Sequence, residues 1–181
     1  MAPVLLLLDL SMTPSDPAPT PAPGGPALSS VSAVIGDLLR RARTAGAVVI
    51  HVREAGAGED TGAAGPPGGH EPLLRPLDGE PVVHRTRPDA FAGSGLAGLV
   101  PVGAEVVVAG MHSESVVRAT ALAALDRGHR VVLVRGAHAS LRAGVPREIE
   151  ATLRAAGVVV AAPETVTFDG NGAAGSARGA R

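Results

Sequence analysis

The chain has no cysteine, no lysine, no tryptophan and no tyrosine, and its only aromatic rings besides histidine are Phe91 and Phe168. Without cysteine there can be no disulfide, no thiolate metal site and no thiol nucleophile. So few rings leave nothing on which nucleic-acid bases could stack, and the core must be aliphatic. A net charge of −1 excludes the broad cationic surface that nucleic acid or an anionic membrane needs. Long apolar runs are missing too. Val4 to Leu8 ends at Asp9, with no basic leader or cleavage pattern, so it does not read as a signal peptide. No segment reaches the ~18 apolar residues of a membrane span. A cytoplasmic protein without nucleic-acid or membrane partners is the expectation.

What is present is Ala, Val, Leu, Gly, Pro and Arg, and all 16 basic residues are Arg, the usage of GC-rich coding. With 181 residues and 45% hydrophobic content, the chain is long enough for one domain with one sizeable core. Short β-branched runs alternate with amphipathic stretches. Strands are predicted at 3–8, 47–52, 81–85, 104–109, 130–134 and 157–160, and helices over 28–45, from Ser113 to about Arg127, and over 146–156. Gly110 is expected to break the fourth strand, and Ser113 to cap the following helix through its hydroxyl. Such alternation implies right-handed crossovers and a mainly parallel sheet with helices on both faces, an α/β Rossmann-like three-layer fold. The domain is placed at 1–168. Within it, 13–26 is a proline-dense loop of extended character. The Gly/Ala/Arg stretch 169–181 reads as a disordered tail.

Two places stand out chemically. Asp9 ends the first strand, where α/β sheets open their ligand crevice. The run Val106-Val107-Val108-Ala109-Gly110-Met111-His112-Ser113-Glu114-Ser115-Val116-Val117-Arg118-Ala119-Thr120-Ala121 passes from strand through a tight turn into a helix. Such a junction aims backbone N–H groups at whatever sits above the sheet. His51 lies inside a strand pattern, where a packed or edge histidine is expected, and His70 is isolated, so no metal-ligand spacing is seen.

The second of these stretches resembles the nucleophile turn of the isochorismatase-like (cysteine hydrolase) superfamily. Gly110-Met111, Ser113-Glu114 and Val117-Arg118-Ala119-Thr120-Ala121 match in register, and the family's nucleophilic cysteine falls on Val116. The segment Arg85 to Leu96, with Asp89-Ala90-Phe91-Ala92-Gly93-Ser94, resembles a second family block in which the catalytic lysine falls on Arg85 and a buried phenylalanine on Phe91. Gly128 to Ala137 resembles a third block, with Gly136 in place of its aspartate. Glu164-Thr165-Val166 resembles the closing segment. The resemblance covers about residues 3 to 168.

The resemblance implies a six-stranded sheet of order 3-2-1-4-5-6. It also implies a general acid/base at Asp9, a non-proline cis peptide between Met111 and His112, and a tendency to form dimers. Metal-binding relatives of the nicotinamidase type carry Asp-x-His after the second strand. Glu54 and Gly56 stand there instead, so neither metal nor other cofactor is expected.

Valine has no lone pair to attack a carbonyl, and arginine keeps its charge but cannot shuttle a proton. True isochorismatases in the superfamily also lack the nucleophile and rely on protonation. The expected catalytic set is therefore Asp9, Arg85, the Val116 position and His112. The candidates for binding a small anionic metabolite are Arg53, Arg87, Phe91, Met111, Ser113 and Ser115. Two other readings remain open: a non-catalytic relative that binds a ligand or a protein partner, and a nucleophile displaced to Ser113 or Ser115. The second of these is opposed by helical geometry, which turns Ser115 about 100° away from position 116.

Overall fold

The computed structural model describes residues 3–10, 28–56 and 74–169. The proline-dense loop 13–26, His70 and all of the 169–181 tail except Asp169 lie outside the described residues. Among the described residues, no helix is long and apolar enough to cross a membrane.

Six strands form one sheet: β1 (Val4–Leu8), β2 (Val48–Glu54), β3 (Val82–Arg85), β4 (Glu105–Met111), β5 (Arg130–Ala139) and β6 (Val159–Ala161). Their order is β3-β2-β1-β4-β5-β6, and every pairing is parallel. The helices are α1 (Leu28–Thr44), the short α2 (Leu96–Leu99), α3 (Arg118–Asp126) and α4 (Val145–Ala155). The expected order and architecture are both observed.

Strand periodicity divides the core in two. Side chains alternate across a strand, so Leu5 and Leu7 of β1 join Val31, Ile35, Leu38 and Leu39 of α1 on one face. Val4, Leu6 and Leu8 meet Val117, Ala121 and Ala124, then Ile149 and Leu153 of α4, on the other. A central strand buried on both sides needs the continuous apolar run that β1 has.

Three local expectations are corrected. Gly110 does not break β4; the strand runs through it to Met111. Gly110 adopts φ 135°, and a Cβ there would sit 2.0 Å from the Leu8 carbonyl oxygen of β1, so glycine serves a close approach of neighbouring strands. Next, β5 does not stop at Val134. Between the pairs Val108–Leu133 and Gly110–His138 the register advances two residues on β4 and five on β5. This is a bulge that contains Gly136 at φ 74°. Finally, the turn after β4 is a π-helical turn over Ser113–Val117 that leads into α3. The Ser113 hydroxyl does not cap it and bonds elsewhere.

His51, expected to be a packed or edge histidine, is buried and bonds the Glu80 carboxylate through Nε2 at 2.8 Å. Arg43 adds bonds of 2.7 and 2.8 Å, and the Leu77 N–H one of 3.0 Å. Burial alone raises the Glu80 pKa, but the bonds from Arg43, Leu77 and His51 outweigh it and lower it to about 2. Burial holds the His51 pKa below its ordinary 6.5 despite Glu80.

Two predictions follow from this packing. Gly110→Ala should cost more than about 4 kcal/mol by urea denaturation. Gly103→Ala, at φ 72° with open space around the new Cβ, should cost only about 1–2 kcal/mol; equal costs would contradict the close approach. Because the folded Glu80 pKa is depressed from 4.5 to about 2, its contribution is complete above 4.5 and lost as pH falls through about 2. Glu80→Gln should therefore be less stable than wild type at pH 7, and the difference should shrink between pH 4.5 and 2.

Candidate active site

The carboxyl ends of β1, β2, β3 and β4 converge at the point where the chain passes from one half of the sheet to the other. Asp9 leaves β1 at φ 47°, a left-handed conformation that aspartate tolerates better than most residues. Its N–H extends the ladder to the Val52 carbonyl at 2.9 Å. The side chain meets Arg85 from the end of β3.

Arg85 donates to Asp9 Oδ2 from Nε at 2.9 Å and also from Nη2. Nη1 donates to the Arg87 carbonyl at 3.2 Å, and Nη2 lies 3.6 Å from Glu54. The side chains of Arg85 and Asp9 are only 8% and 15% exposed, so this ion pair is partly desolvated. Among the described residues, the buried Asp9 Oδ1 has no hydrogen-bond partner. Burial pushes the Asp9 carboxyl above its ordinary 3.8, and Glu54 adds to the effect. The bond and charge of Arg85, and the nearby His112, pull in the opposite direction without cancelling it.

The segment carrying Arg85 and Arg87 is tied to α3. The buried Thr120 hydroxyl accepts the Ala90 N–H at 3.1 Å and donates to the Pro88 carbonyl at 3.3 Å. Two of the motif blocks are thereby joined through one side chain.

The other sequence candidates are placed as follows. Val116 is 1% exposed and belongs to the core cluster on the α3 and α4 face. The Met111–His112 peptide is cis. His112 is exposed, Met111 is half-buried against the α1-side core, and Arg87 and Ser115 are exposed. Arg53 is half-buried near the end of β2. Phe91 is a core residue: its ring stacks on His129 at 6.2 Å, with the Arg127 guanidinium 4.7 Å above it.

Ser113 is fully buried and its hydroxyl meets His138 Nδ1 at 2.9 Å. His138 is a residue that sequence reading missed. The only signal for it was a histidine two residues after a glycine in an apolar strand. Among the described residues, no three His, Cys, Asp or Glu side chains are grouped as a metal ion would require.

Residues 4–163 match the Isochorismatase domain family. The chain belongs to this family of isochorismatase-like hydrolases. A streptothricin hydrolase from Streptomyces noursei is 43% identical over 122 residues, covering 66% of this chain and 44% of that protein. The chain thus spans less than half the length of that relative. Among solved structures, an isochorismatase family protein from Desulfovibrio vulgaris superposes with TM-score 0.72 at 26% identity, covering 91% of this chain and 95% of the other. An isochorismatase from Pseudomonas putida superposes with TM-score 0.64 at 25% identity, covering 90% and 89%.

The electrostatics of the pair can be tested directly. Arg85 lowers the Asp9 pKa, so Arg85→Met should move the Asp9 carboxyl titration further upward, followed by carboxyl carbon NMR. A downward movement would contradict the arrangement.

Proposed function

We propose that this chain is a hydrolase working without a thiol, in which Asp9 carries the proton and arginines hold a small anionic substrate. The observation that carries this reading is the condition of Asp9. One carboxyl oxygen is fixed by Arg85, the other is buried and has no partner among the described residues, and the pKa is raised. A carboxyl so held is suited to give and take a proton within one cycle.

Protonated Oδ1 gives its proton to the departing atom of the substrate. Water adds to the carbon left behind and returns a proton to Oδ1, so that one water is consumed. No covalent intermediate forms on the chain, because the valine at the family's nucleophile position has no electron pair to offer. Arg85 is already committed to Asp9 and to the Arg87 carbonyl, so its task is to orient the acid. Anion binding falls to the exposed Arg87, whose planar fork suits carboxylates, with Arg53 near the end of β2 and His112 beside Asp9.

A second reading is a binding protein that has lost catalysis. The enclosure of Val116 in the core favours it, since that position no longer opens towards a substrate.

One experiment separates the two. Binding and turnover are followed for wild type, Asp9→Asn and Arg87→Ala with isochorismate and a panel of other small carboxylic acids. The named activity of the Streptomyces noursei relative adds a streptothricin to the panel. Asp9→Asn should lose at least about 100-fold in kcat while its affinity stays within a few-fold of wild type, and Arg87→Ala should lose affinity. Binding that requires Arg87 with no turnover of any compound would establish the binding protein. Turnover undiminished in Asp9→Asn would end the acid/base reading.

A further inference from the structure

On the other flank of the site, a chain of three side chains runs from α4 to the turn after β4. His138 lies on β5 just past the bulge and is 1% exposed. Its Nδ1 is 2.9 Å from the buried Ser113 hydroxyl, and its Nε2 is 3.6 Å from Glu150 Oε1 of α4. Arg135 lies 3.5 Å from the other Glu150 oxygen. Close by, the Ser140 hydroxyl donates to Glu114 of the same turn at 2.8 Å.

The charges select one tautomer. A proton on Nε2 faces the Glu150 carboxylate, which leaves Nδ1 to accept the Ser113 O–H. The reverse tautomer would set a lone pair against a carboxylate. At 3.6 Å the Glu150 interaction is electrostatic, too long for a hydrogen bond. Burial keeps His138 below its ordinary pKa of 6.5 although Glu150 opposes this, so the ring is neutral and Nδ1 is an acceptor at neutral pH.

We propose that His138 is a positioning residue, which, oriented by Glu150, holds Ser113 and thereby fixes the turn of residues 112–116 beside Asp9. This rests on the acid/base reading of Asp9 given above. The path is short. Ser113 follows His112 directly, and His112 is close enough to influence Asp9 electrostatically. The same turn carries Val116, which is packed in the core. The bulge of β5 is what makes the contact: its extra residues bring His138 opposite Gly110, one pair before Met111 and Ala139. Ser113 has no exposed surface, so the array resembles a nucleophilic serine with its base in composition but lacks the access that attack requires.

The test measures kcat and KM of wild type, His138→Leu, His138→Asn, Ser113→Ala and the double variant Ser113→Ala/His138→Leu, on the panel member that wild type hydrolyses. Each value is taken per folded molecule and well below the Tm. His138→Leu and Ser113→Ala should each lower kcat about 10–100-fold, the scale of a misplacement near 1 Å, with KM within about threefold. The double variant should be no worse than either single change, because both remove one link. His138→Asn sets an amide oxygen near the place of Nδ1 and should recover most of the loss.

A His138→Leu protein of lowered Tm and unchanged kcat would make the contact purely structural and overturn the proposal. So would a mass increase on Ser113 after phenylmethylsulfonyl fluoride, which would make it a nucleophile. Wild type inert towards the whole panel would remove the Asp9 reading and this one together. An active wild type with an unimpaired His138→Leu would remove this one alone.

Discussion

The contact between Gly110 of β4 and the Leu8 carbonyl of β1 is the constraint on which the site depends. These two strands are the innermost of the sheet, and between them the chain changes direction of growth: β2 and β3 were added on one side, β5 and β6 are added on the other. In parallel α/β sheets such a point leaves a crevice above the strand ends, because the connections leave to opposite faces. Asp9 stands on one lip of that crevice and His112 on the other. A side chain at position 110 would separate the lips, so the absence of a Cβ there is what lets an acid from one strand and a turn from the other face the same small volume.

The valine at position 116 has a packing role. It adds an apolar residue to the cluster formed by Val117, Ala121, Ile149 and Leu153. A thiolate there would need solvation or a neighbouring cation. A valine needs neither, and Arg85 is engaged by Asp9 and by the Arg87 carbonyl. Val116 and Arg85 are physically consistent with each other, because neither side chain exchanges a proton.

Much of this was legible from the residues. The apolar runs located the six strands, and the motif blocks implied their order, the placing of Asp9 and the cis peptide at Met111–His112. What was not legible depends on contacts distant in sequence. The partnership of Ser113 with His138 spans 25 residues and exists only because β5 bulges by residues that no periodicity announces. Read locally, a serine at the start of a helix is a cap; a buried imidazole across the strand changed that outcome. Gly110 likewise reads as a breaker until the neighbouring strand is known. His51 reads as a packed or edge histidine, but Glu80, which binds it, lies in a stretch with no motif. Local rules failed where a polar group found a better partner across the fold than along the chain.

The anchoring of Arg85 has a consequence for how the site counts protons. A lysine in the same place could release its charge, so an acid and a lysine together have two ways of holding a single proton. Arginine has one state at any pH a protein survives. The pair therefore behaves as a single-proton device: its whole inventory sits on Asp9, and the cation beside it acts as a constant field, not as a second store. Within this pair, protonation of the Asp9 carboxyl alone sets the charge state.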